Sequence, residues 1–178
     1  MLRVLAIDPG MKHTGVALVD ERGVSCATTL AYKAPVGTDR DKMRERTEDI
    51  CAKLDELLTA WKHDVVVMEQ FDLFGEGKSN ATAATQGIFL EGWLTCFLAV
   101  DRGEELHKQV PAAVFSPFLD FSIYWYLGAN KPKGLVKEEE LRRLAELMPG
   151  GENCHGARDQ IQAAAHGLKY IYDHERLF

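Results

Sequence analysis

Residues 64–69 read DVVVME, and this stretch decides the fold class that the sequence predicts. Consecutive apolar residues without polar alternation, closed by a charge, are typical of a short buried strand. An apolar stripe at three- and four-residue steps from Met43 to Trp61 predicts a helix before this strand, and a second helix is predicted after it at about 80–99. A helix, a buried strand and another helix in succession favour parallel strands in an α/β domain.

Further strand and helix patterns flank this unit. Three strands are predicted ahead of the first helix, and the short polar links between them favour antiparallel neighbours. The predicted strands are 2–7, 15–19, 24–32, 64–68 and 105–108, and the later predicted helices are 136–148 and 157–172. The order is βββαβαβ followed by helices, without a repeat or a linker, and 178 residues are the size of one compact domain. Residues 1–178 are therefore expected to form a single α/β domain.

Composition narrows the classes of protein that fit. The hydrophobic share of 46% is ordinary for a globular protein, and the amino terminus lacks a signal-peptide pattern. The most apolar run, 114–127, is short for a membrane span and contains Pro117, so no membrane partner is expected. Four cysteines without a CxxC pair favour reduced thiols over disulfides or a zinc site. The net charge of −6 has the wrong sign for a nucleic-acid binder, but local lysine clusters leave basic patches open.

Three carboxylates occupy positions that call for an explanation. Asp8 ends the first predicted strand in IDPGMKHTG, Glu69 ends VVVME, and Asp159 lies in ARDQIQAAAHGL. Charges at the ends of buried strands are costly unless a cation meets them, and hard divalent ions prefer carboxylate oxygens. Asp8 can equally be a turn residue before Pro-Gly, and Asp159 can simply interact with a helix dipole. Glu69 favours a functional interpretation, because open α/β sheets bind ligands at the carboxyl ends of their strands.

A polar stripe accompanies the third carboxylate. Four polar residues recur at four-, three- and four-residue steps and share one side of a helix that runs through all of them. They are His155, Asp159, Gln162 and His166. The same stripe is equally compatible with the solvent face of a helix that is otherwise rich in Ala, Ile and Leu.

Together these motifs resemble the RuvC-type Holliday junction resolvases of the ribonuclease H-like superfamily. The resemblance rests on IDPGMKHTG with Asp8, on VVVMEQ with Glu69 and on ARDQIQAAAHGL with Asp159. It implies a ribonuclease H-like fold, a five-stranded mixed sheet flanked by helices, in a cytoplasmic protein of a bacterium or of a phage-infected host. The family places a second ligand three residues before the last aspartate, but Gly156 stands there, so His155 is the expected substitute.

The resemblance implies a metal-dependent endodeoxyribonuclease that cuts four-way junctions by paired symmetrical nicks, leaving 5′-phosphate and 3′-hydroxyl ends. Two Mg²⁺ ions, with Mn²⁺ as a substitute, are expected between Asp8, Glu69, Asp159 and His155, where they would activate water and stabilise the leaving oxygen. Two symmetrical cuts require two active sites, so a homodimer is expected. The helix at 80–99 and the aromatic segment 115–125 are the candidate interface.

Contacts to branched DNA are expected from lysines near the acidic motifs and from one aromatic residue in the loop after Glu69. These candidates are Lys12, Phe74, Lys78, Lys131, Lys133 and Lys137. Phe71 is the alternative aromatic residue, and either phenylalanine can instead be a packed core residue.

Three rival functions fit parts of the sequence. Asp-Pro-Gly followed by Thr-Gly also resembles the first phosphate loop of actin-like and sugar kinases, but those enzymes need two such domains. Another ribonuclease H-like nuclease, acting on an RNA–DNA hybrid or other branched DNA, would show the same acidic residues. A junction-binding protein without catalysis is favoured only by Gly156.

Overall fold

A mixed sheet of five strands lies at the centre of the fold. The strands are β1 (Val4–Asp8), β2 (His13–Asp20), β3 (Gly23–Ala31), β4 (Val65–Glu69) and β5 (Leu106–Gln109). They lie in the order β3-β2-β1-β4-β5, in which β1 to β3 pair antiparallel and both β1–β4 and β4–β5 are parallel. The computed structural model describes residues 1–32, 39–71, 81–109, 114–115, 123–129 and 137–175.

Helices connect and cover these strands. They are α1 (Arg40–Ala60), α2 (Ala81–Cys96), α3 (Ile123–Tyr126), α4 (Lys137–Leu147) and α5 (Arg158–Glu175). A π-helical turn, Phe97–Asp101, extends α2, and a 3-10 turn, Gly151–Cys154, precedes α5. The side chain of Asp39 caps α1 by accepting hydrogen bonds from the N–H groups of Asp41 and Lys42, at 3.0 and 3.1 Å.

Strand alternation divides the core between the two faces of the sheet. Val4 and Ala6 of β1 pack with α5 on one face, and Leu5 and Ile7 pack with α1 and α2 on the other. All four side chains are fully buried. Since the central strands are covered on both faces, they show an uninterrupted apolar run.

The predicted fold class is confirmed: the chain forms a five-stranded mixed sheet flanked by helices. Each predicted strand and helix is present, and the boundaries differ from the predicted ones by a few residues. The strand predicted at 105–108 is displaced by one residue and ends at Gln109.

The helix predicted at 157–172 is confirmed, but the condition that it runs through His155 is not met. Helix α5 begins at Arg158, whereas His155 and Gly156 both have left-handed backbone angles, with φ of 48° and 70°. Two successive left-handed residues cannot continue a right-handed helix, so they turn the chain between the 3-10 turn and α5. His155 therefore precedes the helical face that Asp159 and His166 share.

The apolar length of α2 with its π-helical turn also needs an explanation. The stretch Thr82–Asp101 is long and apolar enough to span a membrane by length and composition alone. Three of its leucines, Leu90, Leu94 and Leu98, are instead buried in the core on the face of the sheet opposite α5. Burial of one side accounts for part of its apolar character.

Candidate active site

Asp8 and Glu69 end two neighbouring parallel strands and meet at one edge of the sheet. In the register of β1 and β4, Ile7 lies opposite Met68, so the two acids follow at equivalent positions. Their side chains hydrogen-bond each other. Two ionised carboxylates repel at close range, so this pair favours a shared proton or a bound cation.

The surroundings decide which acid holds that proton. Burial raises the pKa of Asp8 well above 3.8, the charge and hydrogen bond of Glu69 and the charge of Asp159 add to this, and Arg158 opposes it. Burial alone would also raise the pKa of Glu69, but the hydrogen bond and charge of His166, with the bond from Asp8, outweigh burial and lower it. These opposite shifts favour a protonated Asp8 beside an ionised Glu69.

Asp159 lies in the first turn of α5, where a glycine lets the helix approach the sheet. Gly15 of β2 pairs with Asp8 of β1, and a Cβ atom on Gly15 would lie 2.0 Å from the main-chain oxygen of Asp159. Only glycine fits such a close contact with backbone atoms. The β1–β2 hairpin therefore brings Asp159 close enough for its charge to act on Asp8.

The carboxylates suit a divalent cation in chemistry. Asp8 and Glu69 bring two carboxyl groups together, and hard cations select such oxygen donors. In the described part of the chain, no three His, Cys, Asp or Glu side chains are already grouped closely enough to hold a metal ion. Asp8 and Glu69 are thus the assembled part of the site, with Asp159 next to them. His155 is exposed, ahead of α5.

His166 is the site residue that the sequence interpretation missed. Its Nε2 atom lies 3.1 Å from Oε2 of Glu69, and its Nδ1 atom lies 3.2 Å from Oε1 of Gln109. The sequence did contain a signal, since His166 follows Asp159 by seven residues, or two helical turns. Its partner Gln109 lay just beyond the predicted strand.

The start of the loop after Glu69 is tied to α2. The main-chain N–H of Phe71 donates to Oε2 of Glu91 at 3.0 Å, and Nζ of Lys108 donates to Oε1 of Glu91 at 2.8 Å. A Cβ atom on Gly87 would lie 2.4 Å from the Phe71 ring, so this ring rests directly on the α2 backbone. Phe71 is a packing residue here, whereas Phe74 lies outside the described residues.

Basic groups surround the acidic edge. Lys12 is exposed in the turn between β1 and β2, and Lys137 is exposed at the start of α4. The charge of Lys137 helps to lower the pKa of Glu69, after the larger effects of burial, His166 and Asp8. Arg158, which the sequence motif did not single out, acts on Asp8 in the same way. Of the other expected DNA contacts, Lys78, Lys131 and Lys133 lie outside the described residues.

The sheet order and the two acids at its edge are those of the ribonuclease H-like fold. The family model "Crossover junction endodeoxyribonuclease RuvC" matches residues 4–114, which include Asp8 and Glu69 and end before Asp159. The chain belongs to this RuvC family.

The chain is also similar to a curated relative, and its fold is similar to two solved structures. A RuvC crossover junction endodeoxyribonuclease of Synechococcus sp. (strain WH7803) is 26% identical over 90 residues, a match that spans 50% of this chain and 57% of that protein. The structure of Thermus thermophilus RuvC in complex with a Holliday junction substrate has a TM-score of 0.65 at 17% identity, covering 98% of this chain and 96% of that chain. The yeast mitochondrial Holliday junction resolvase Ydc2 has a TM-score of 0.66 at 14% identity, covering 99% and 80%.

Proposed function

We propose that this protein is a metal-dependent endodeoxyribonuclease that resolves four-way DNA junctions by paired symmetrical nicks, leaving 5′-phosphate and 3′-hydroxyl ends. The observation that carries the proposal is the interacting pair of carboxyl groups, Asp8 and Glu69, at adjoining strand ends in a chain of the RuvC family. The family consists of metal-dependent nucleases. Residues 1–178 are proposed to act as one nuclease domain of the cytoplasm.

Asp8, Glu69 and Asp159 are proposed to hold Mg²⁺, with His155 as a further ligand. When bound, two such ions supply the charge that activates water and stabilises the departing 3′ oxygen. Asp8 would release its proton on binding, because a metal ligand must be deprotonated. Glu69, which is already ionised, would bind without that cost.

Lys12 and Lys137 are proposed to contact phosphates beside the acids, together with Lys78, Lys131 and Lys133. Both described lysines are exposed and lie next to strands or helices that carry the site. Such contacts are independent of base sequence and fit recognition of a branched shape. Phe74 is proposed to contact bases near the crossover.

A homodimer is proposed to bring two active sites to one junction, with the outer side of α2 as the interface. That side carries no charge along a line of exposed residues: Thr85, Ile88, Gly92, Cys96 and Ala99. Ile88 is 50% exposed, and Val100 in the following turn is 76% exposed. An apolar surface of this length is typical of a protein–protein contact. In the aromatic segment, Tyr124 is buried in the core, while Phe118 and Phe121 lie outside the described residues.

Cleavage of matched substrates tests the proposal. A labelled four-way junction, a duplex of the same arm sequence and an RNA–DNA hybrid are incubated with and without Mg²⁺. We expect paired cuts near the crossover of the junction only, dependent on metal and lost in Asp8→Asn and Glu69→Gln. Cutting of the hybrid alone would instead assign the related nuclease function. Tight junction binding without metal-dependent cutting would assign the non-catalytic one.

A further inference from the structure

His166 reaches the acidic edge from beneath the sheet and contacts two strand ends at once. Glu69 and Gln109 are register partners at the carboxyl ends of β4 and β5. The His166 imidazole lies 3.1 Å from the Glu69 carboxylate through Nε2 and 3.2 Å from the Gln109 amide through Nδ1. Its side chain is 0% exposed, whereas that of Glu69 is 17% exposed. The histidine is therefore behind the carboxylate, away from solvent.

The packing around His166 fixes where the ring lies. A Cβ atom on the next residue, Gly167, would be 2.5 Å from the Val19 side chain and 2.9 Å from Ala6. Helix α5 thus rests directly on β1 and β2 at this point. Phe115 meets the imidazole edge-on, with ring centroids 5.5 Å apart. The close approach of α5 to the sheet and the contact with the Phe115 ring leave the His166 imidazole little freedom to rotate.

Hydrogen-bond chemistry gives the direction of the contact. A Glu69 carboxylate that binds a cation is deprotonated and can only accept, so the 3.1 Å contact requires Nε2 of His166 to donate to Oε2. Either orientation of the Gln109 amide preserves this donation, because the amide offers an acceptor or a donor to Nδ1. Glu69 is consequently held by His166 and Asp8 together, and a long flexible side chain becomes fixed before any ligand binds.

We propose that His166 is a positioning residue that orients the Glu69 carboxylate for a divalent metal ion, with Gln109 holding the imidazole from the other side. The inference rests on the proposed role of Glu69 in metal binding. His166 acts through Glu69 and is not itself a ligand, because both ring nitrogens are engaged and the ring is buried behind the carboxylate. Partners of this kind commonly raise metal affinity or activity by ~10–100-fold.

Direct binding of Mn²⁺ to the protein without DNA, measured by calorimetry, tests the inference. His166→Leu removes the donor but fills the space, and it should weaken Mn²⁺ binding ~10–100-fold. His166→Gln keeps an amide N–H that can reach Glu69 and should recover most of the affinity. Gln109→Leu removes the partner of the imidazole but keeps the donor to Glu69. Its Mn²⁺ affinity should lie between those of the two His166 variants. Ile171→Val, a buried change elsewhere in α5, controls for general loss of stability and should bind Mn²⁺ as the wild type does.

A double-mutant cycle separates positioning from independent ligation. If His166 acts through Glu69, adding His166→Leu to Glu69→Gln should produce no further loss of Mn²⁺ affinity. An additional loss equal to the one that His166→Leu causes in the wild type would overturn the positioning role. Wild-type Mn²⁺ affinity in His166→Leu would overturn it as well.

The proposed function can fail separately. A wild type that binds Mn²⁺ with this variant pattern but cuts no junction would leave the role of His166 intact and reject the resolvase function. Junction cutting together with wild-type Mn²⁺ affinity in His166→Leu would reject the positioning role alone. A wild type that binds no Mn²⁺ would reject both.

Discussion

Asp8 and Glu69 hydrogen-bond each other although both are acids, and they do so at the ends of adjacent parallel strands. Such a pair stores unfavourable charge at a site that the fold fixes in place. A bound divalent cation would relieve this charge, and in its absence protonation of Asp8 would do so. The protonation of this pair is therefore expected to affect both the free energy of unfolding and the binding of a cation.

Asp8→Asn should stabilise the metal-free protein, and the gain should grow with pH. Burial raises the pKa of Asp8 well above 3.8, and the charges of Glu69 and Asp159 raise it further. A group whose pKa is higher in the folded state stabilises it fully below its unfolded pKa and loses that contribution as pH rises through the folded value. Asparagine cannot ionise, so it avoids this loss.

Urea unfolding in the presence of a chelator measures the effect between pH 5 and 8. We expect a gain on the order of 1 kcal/mol at the upper end of this range. Added Mg²⁺ should stabilise the wild type alone, so that the wild type becomes more stable than the Asn variant. A difference that stays constant with pH, or an Asn variant that is less stable at pH 8, would contradict the account.

Gly15→Ala should separate α5 from the sheet at the site. The added Cβ would lie 2.0 Å from the Asp159 main-chain oxygen and 2.3 Å from its carbonyl carbon, and neither atom can move by a side-chain rotation. We expect a loss of about 1–3 kcal/mol in the free energy of unfolding. A displacement near 1 Å at Asp159 should also reduce the cleavage rate roughly a hundredfold.

Ser25→Ala, at an exposed position in β3, is the matched control and should change neither quantity appreciably. Equal stability and cleavage in Gly15→Ala and the wild type would show that the α5 contact is not needed.

The candidate ligand His155 can be tested by two substitutions that differ only in backbone preference. Its φ of 48° suits glycine, whereas alanine there costs about 1–2 kcal/mol. If the imidazole binds metal, His155→Gly and His155→Ala should both lower junction cleavage more than tenfold while junction binding persists. Wild-type cleavage by both variants would contradict a role of the imidazole in metal binding.

The sequence revealed the fold and the two strand-end acids, because both depend on local patterns. The run VVVME predicted a buried strand and placed Glu69 at its end, and the structure agrees. The two histidines show where local patterns were insufficient. His155 was selected on the assumption of a continuous helix, which left-handed Gly156 interrupts. His166 was visible on the helical stripe, but its contact with Gln109 depends on α5 crossing beneath β4 and β5, which no local pattern contains.

Ile88→Glu should disrupt the proposed homodimer. Ile88 lies on the uncharged outer side of α2, where a buried carboxylate would be costly. Sedimentation should show a monomer at concentrations where the wild type is a dimer. Lys62→Glu, exposed near the amino end of β4, introduces a glutamate elsewhere and should remain dimeric. A dimer that persists in Ile88→Glu would place the interface on another surface.

Paired cutting of a supercoiled plasmid that extrudes a cruciform is the sharpest test of the proposed resolvase function. Two symmetrical cuts in one binding event give a linear plasmid, whereas one nick releases the supercoil, removes the cruciform and leaves an open circle. The account predicts linear product with Mg²⁺, none without metal, and a fall of roughly a thousandfold in rate for Glu69→Gln, equivalent to several kcal/mol of lost metal stabilisation. The exposed change Glu56→Gln should cut normally. Open circles alone, or linear product that survives in Glu69→Gln, would contradict it.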